Sequence, residues 1–157
     1  MFKVTEKTFR DRCKPALKIL SDLNTIEWED RKQPNNRNHK ALTSVDGTDC
    51  KIFEQTPFEG KWCSHKFKGP GLRYEVAICI VTGHMVWIFG GFPCGSHPDL
   101  KIFRSGLAHI LEPGERVIAD GGYKGEPGIW AKGHDQLSKR ARKVEGKIRA
   151  RHETVNA

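Results

Sequence analysis

The segment from Arg73 to Phe89, RYEVAICIVTGHMVWIF, places the tightest limit on what this chain can fold into. Apolar side chains occupy consecutive positions on both sides of a short break at Thr82 to His84, whereas a strand with one wet face would alternate apolar with polar. Arg73 to Val81 and Met85 to Phe89 are therefore predicted to pair as a hairpin of central strands, buried on both faces.

The flanking sequence supplies the other elements. Ala41 to Phe53 reads as an earlier strand, interrupted by Gly47, and Glu54 to Gly71 reads as a long basic connection ending in Gly69, Pro70 and Gly71. Ser96 to Leu111 carries Leu100, Phe103, Leu107, Ile110 and Leu111 at helical spacing, with Ser96 placed to cap and Asp99 three residues later as its partner. Pro113 and Gly114 close that helix, and Arg116 to Ala119 forms a fourth strand that delivers Asp120 to a Gly121–Gly122 turn. Before the first strand, Lys14 to Leu23 is predicted to be a helix with Pro15 in its first turn and Leu17, Leu20 and Leu23 on its apolar side. The polar run RKQPNNRNHK then reads as a linker, so residues 1–40 form a helical segment and linker ahead of a main domain at 41–157.

A chain of 157 residues fits one domain with a small appendage. Its formal charge of +8, from 27 Lys and Arg against 19 Asp and Glu, favours a polyanionic partner or else a merely basic surface. Met1 to Phe9 holds no apolar signal core and no apolar run is long enough to span a bilayer, so a soluble intracellular protein without membrane contact is expected. Five scattered cysteines suit reduced thiols better than a disulfide framework. Cys63, His65, Cys94 and His97 supply zinc-type ligands, although neither pair has a familiar finger spacing; zinc there would shift the reading to a non-catalytic nucleic-acid module.

Three acidic residues stand in settings that suit ligation of a hard cation: Asp46 in SVDGTDCKIF, Asp120 in ERVIADGGYKGE and Glu153 in KIRARHETVNA. Asp46 and Asp120 lie at or near strand ends, where a carboxylate can leave the sheet for solvent. Two of the three, and the acids near them, have competing readings. Asp46–Gly47 is also a turn-forming pair, Asp49 falls on the Gly47 face as a structural residue, and Asp99 suits a helix start. A continuous helix from Leu137 to Val155 would turn Glu153 away from its apolar stripe unless Gly146 breaks it, which leaves Glu126 and Glu145 as competitors. Lys61, Lys66, Lys68 and Arg73, interleaved with His65, Trp62 and Phe67, form one strip for phosphate contact and base stacking. Arg142, Lys147, Arg149 and Arg151 belong to a second basic run.

Three strands, a helix, a strand, a connection and a charged helix follow the order of a ribonuclease H-like core, an α/β fold with a mixed five-stranded sheet, or four-stranded if truncated, flanked by helices. The blocks VDGTDCKI, PFEGKWCSHKFKGPGLRYEVAICI, FPCGSHPDLKIFR, GERVIADGGYKGE and RARHETVN also make the chain, from about Phe9 onward, similar to the Harbinger-like, insertion-sequence-related endonucleases of the DDE transposase superfamily. That resemblance implies metal-binding and catalytic roles for Asp46, Asp120 and Glu153, with Arg149 four residues before the glutamate. Gly146 stands where the family has a tyrosine, and the family's pattern runs past Ala157, which implies a C-terminally truncated catalytic domain. The activity implied is phosphodiester hydrolysis and strand transfer on DNA with two Mg²⁺ or Mn²⁺ ions, in a nuclear protein that works as a homo-oligomer or beside a separate DNA-binding partner. The alternatives are a domesticated, inactive remnant that still binds DNA and a structural protein that retains only the fold.

Overall fold

A computed structural model of the chain describes residues 4–23, 25–34, 40–54, 56–131, 146–147 and 150. Helix α1 spans Glu6–Ser21, capped by Thr5, whose Oγ1 accepts the Thr8 N–H at 3.2 Å. It begins well before the predicted Lys14, so Pro15 lies inside the helix instead of in its first turn. The early turns were missed because their signals are polar: a threonine cap and a Glu6–Arg10 pair one turn apart. No residue of α1 is buried, and the predicted apolar side of Leu17, Leu20 and Leu23 is more than half exposed.

The remainder is α/β, built on a mixed, curled sheet flanked by helices. Strand β1 (Ala41–Lys51) lies at its centre, antiparallel to β3 (Gly69–Cys79) and parallel to β5 (Arg116–Ala119). Outside these, β4 (Met85–Pro93) pairs antiparallel with β3, and β6 (Ile129–Ala131), a strand that the sequence reading did not locate, pairs parallel with β5. The spatial order is therefore β4-β3-β1-β5-β6, and the two-residue β2 (Cys63–Ser64) pairs with the start of β3. The predicted hairpin forms, but only one of its strands is central. Glu75 to Cys79 of β3 is buried without interruption, whereas β4 is the outer strand, with Val86 inside and Ile88 47% exposed. On that strand Gly90 and Gly91 take φ values of +156° and +84°, and the ladder to β3 slips at Arg73/Tyr74.

Helix α2 occupies Asp99–Ser105, much less than the predicted Ser96–Leu111. Pro98 stands at its N-cap with no side-chain bond, while the Ser96 hydroxyl pairs with Nδ1 of His97 at 2.9 Å. Gly106 then turns the chain into a 3-10 turn at Leu107–His109, and a Cβ there would collide with the Phe89 ring. Phe103 and Leu107 still reach the core, joining Val45, Ala77, Val117, Ala119, Tyr123 and Ile129. Part of the expected linker also joins the fold. At Trp28–Arg31 a 3-10 turn buries Arg31, which forks onto Glu115 at 2.8 and 3.1 Å and stacks 4.1 Å over Trp28. Among the described residues no helix is long and apolar enough to cross a membrane.

Candidate carboxylate site

Strand lengths create the site. Thr43 and Ser44 of β1 lie beside Val117 and Ile118 of β5; two residues beyond Ser44 comes Asp46, and two beyond Ile118 comes Asp120, the first residue after β5. Adjacent strands run about 4.8 Å apart, so the two aspartates are neighbours. Strand β5 stops at Ala119 while β1 continues to Lys51, so among the described residues no strand pairs with the β5 side of β1 after Asp46, which leaves a notch in the sheet. Asp120 remains extended (φ −76°, ψ −176°) and caps the 3-10 turn Gly121–Tyr123, its Oδ1 accepting the Gly122 N–H at 2.8 Å.

Both backbone groups of Gly47 are bonded to side chains. Its N–H donates to Asp46 Oδ1 at 2.8 Å, and its carbonyl accepts from Lys66 Nζ at 2.5 Å. Even-numbered neighbours such as Leu42 and Ile52 turn their backbone groups towards β3, so those of Gly47 face the notch that β5 leaves open. Asp99, the first residue of α2, packs against Gly47 so closely that any Cβ there would overlap its carboxylate. A Cβ on Gly122 would in turn lie 3.1 Å from Asp120 Oδ1 and 4.0 Å from Asp99 Oδ2, so both carboxylates border the same backbone position. Burial raises the pKa of Asp99; Arg73 and Lys66 oppose that shift, and Asp46 and Asp120 add to it.

A buried clamp underlies the notch. Arg73 donates through Nε and Nη2 to the two oxygens of Asp49 at 2.6 and 2.9 Å, and the Ser64 hydroxyl donates to the same carboxylate at 2.5 Å. Nη1 of Arg73 reaches the His97 carbonyl at 3.3 Å and Asp99 Oδ1 at 3.4 Å. Burial acts to raise the pKa of Asp49, but the bonds from Arg73 and Ser64 outweigh it and hold the carboxyl below its ordinary value. The bonds to Asp49 likewise raise the pKa of Arg73 against the cost of its own burial.

Two further buried groups were not anticipated as site residues. Glu75, paired with Gly47 across β1 and β3, is 1% exposed, and burial pushes its pKa up to about 8 against a 3.3 Å bond from Trp87 Nε1. Tyr123 is fully buried, its pKa raised chiefly by that burial and then by Glu75, Asp99, Asp46 and Asp120. Among the described residues, Oε2 of Glu75 and Oη of Tyr123 have no hydrogen-bond partner. In the sequence Glu75 was legible only as a lone acid inside an apolar strand, and Tyr123 only as part of the GGY turn.

The predicted DNA contacts fall in different places. Lys66 and Lys68 are exposed on the turn after β2. Lys61 is exposed too, with Nζ 2.5 Å from Glu59 and 5.7 Å above the Trp62 ring. Arg73 is inside the fold, committed to Asp49, and not on the basic surface expected of it. Lys147 is exposed, whereas Glu153, Glu145, Arg142, Arg149 and Arg151 lie outside the described residues. Glu126, a competing carboxylate, is held by Arg104 at 2.6 Å. The His97 ring stacks on Phe92 at 4.9 Å, and burial raises the Cys94 thiol to about 11. Among the described residues no group of three or more His, Cys, Asp or Glu is arranged to hold a metal ion. Asp46 and Asp120 carry the hard oxygen donors that Mg²⁺ prefers, and the Lys66 ammonium sits on the carbonyl of Gly47, the residue after Asp46. Compared with known proteins, the chain matches no family model, no curated protein and no solved structure.

Proposed function

We propose that the chain is a ribonuclease H-like nuclease domain of the DDE transposase type, acting on DNA phosphodiesters with Asp46 and Asp120 as metal-holding carboxylates. One observation carries the reading: two aspartates side by side at the point where parallel β5 ends against β1, in a sheet ordered β4-β3-β1-β5-β6. Antiparallel β3 and β4 on one flank and parallel β5 and β6 on the other support the ribonuclease H-like assignment. Asp46 and Asp120 would hold Mg²⁺ or Mn²⁺, with Glu153 completing the set. Such an ion supplies Lewis acidity, acidifying a water and offsetting charge on the departing 3′ oxygen. Asp120, fixed by the Gly122 N–H, presents its carboxylate without a rotamer search, and exposed Lys61, Lys66 and Lys68 attract the phosphate backbone.

The second reading, a non-catalytic DNA-binding remnant acting in the nucleus, draws on exposed Lys61, Lys66 and Lys68, which can meet phosphate without a metal. Cleavage of supercoiled plasmid with Mg²⁺, Mn²⁺ or EDTA separates the two. Metal-dependent nicking that Asp46→Ala and Asp120→Ala abolish, with unchanged circular dichroism, supports the nuclease. DNA binding without nicking in any metal leaves the remnant.

A further inference from the structure

We propose that Lys66 is the cation that seats the reacting phosphate in the carboxylate notch, and that Ser64, Asp49 and Arg73 are the positioning residues that hold it there. The identity of that phosphate as a cleavage target rests on the nuclease reading; the contact itself does not.

Lys66 stands apart from the other surface lysines because its route to the site is specified twice. Its ammonium is 2.5 Å from the Gly47 carbonyl, which faces the space next to Asp46 that β5 leaves open. Its backbone N–H donates to Ser64 Oγ at 3.1 Å, and that hydroxyl donates in turn to Asp49, which Arg73 grips through two bonds. Ser64 is buried and Asp49 is 1% exposed, so the backbone beneath Lys66 is fixed by groups that cannot relax into water. By contrast, Lys61 is tied to Glu59 at the surface, and the exposed Lys68 has no such anchor among the described residues.

An ammonium has three donors, and the Gly47 carbonyl uses one. Among the described residues the other two are unclaimed, and they can meet non-bridging phosphate oxygens brought up to Asp46 and Asp120. Two neighbouring carboxylates would otherwise repel a phosphate, so a fixed cation beside them is the charge the notch needs. It favours the doubly charged transition state over the singly charged diester, which places its effect in turnover more than in affinity.

The test measures binding of the full chain to a short linear DNA duplex in EDTA across a salt series, comparing wild type, Lys66→Gln, Lys66→Arg, Ser64→Ala and Lys32→Gln. Lys32 is the control, a surface lysine tied to Glu29 and Glu112. Lys66→Gln is expected to lower the slope of log K against log salt by about 0.9, one phosphate contact, with Lys66→Arg and Lys32→Gln close to wild type. Ser64→Ala, with melting temperature monitored, is expected to lose part of that slope although every charge remains. If Lys66→Gln keeps the full slope, or Lys32→Gln loses as much, the proposal is overturned whether or not the protein cleaves. In parallel plasmid assays Lys66→Gln is expected to lower kcat about 10²-fold with KM changed only a few-fold. If Lys66→Gln lowers the slope as expected but the wild-type chain never nicks, the nuclease reading falls and Lys66 remains a phosphate contact.

Discussion

Arg73 and Asp49 face each other across β1 and β3 as a register pair, joined by two N–H···O bonds of 2.6 and 2.9 Å with both side chains nearly sealed from solvent. Removing one partner strands the other charge in the interior. Asp49→Ala is expected to lower unfolding free energy by about 3–5 kcal/mol in urea titrations, while Asp49→Leu with Arg73→Met costs clearly less. Equal losses in the single and double variants would show that the pair is not what the region depends on.

Glu75 gives stability a pH dependence whose sign is fixed by its environment. Its pKa rises from 4.5 unfolded to about 8 folded, so the native state holds the extra proton between those values. The stability it contributes is complete below pH 4.5 and is lost as pH rises to about 8, by up to roughly 5 kcal/mol at 1.36 kcal/mol per unit. Glu75→Gln, which keeps the shape without the proton, is expected to flatten the fall in melting temperature between pH 5 and pH 8. An unchanged slope would place the dependence elsewhere.

Arg31 fastens the Trp28–Arg31 turn to the main fold by forking onto Glu115 and stacking on Trp28. Lysine keeps the charge but cannot fork or stack as a plane. Arg31→Lys is expected to cost about 1–3 kcal/mol in thermal or urea unfolding, and to expose Trp28 enough to red-shift its emission.

Gly47→Ala puts a methyl group where the Asp99 carboxylate sits. A loss of about 1–3 kcal/mol is expected, and Asp99→Ala in the same chain should recover most of it. A double-mutant cycle measures the coupling directly; strict additivity would mean that the clash relaxes some other way.

The hairpin, the opening strand and the short strand before Asp120 were legible because each carries its own turn residues and apolar run. Asp46 and Asp120 were legible as strand-end carboxylates, but no spacing rule states that Ser44 lies beside Ile118, the register that makes the two aspartates neighbours. Asp99 read as a helix-start residue, and it is one; its approach to Gly47 follows from where α2 lands on the sheet, which local sequence does not encode. Arg73 reads in the sequence as a surface cation because its partner, Asp49, is 24 residues away and becomes its neighbour only through strand pairing. Strand β4 read as central because Trp87 and Phe89 are apolar, yet these rings cover the core from an outer strand. Strand β6 is three residues long, too short for any periodicity to show.

The two left-handed glycines on β4, Gly90 and Gly91, bear on how copies of this protein behave when crowded. A flat outer strand presents a row of unpaired amides that another chain can continue as a fibril-like ladder. Here the ladder slips and the strand bends along its length, so the exposed margin is crooked and a second β4 cannot lie alongside it in register. The bend thus acts as a built-in guard against edge-to-edge aggregation on the side of the sheet farthest from the notch.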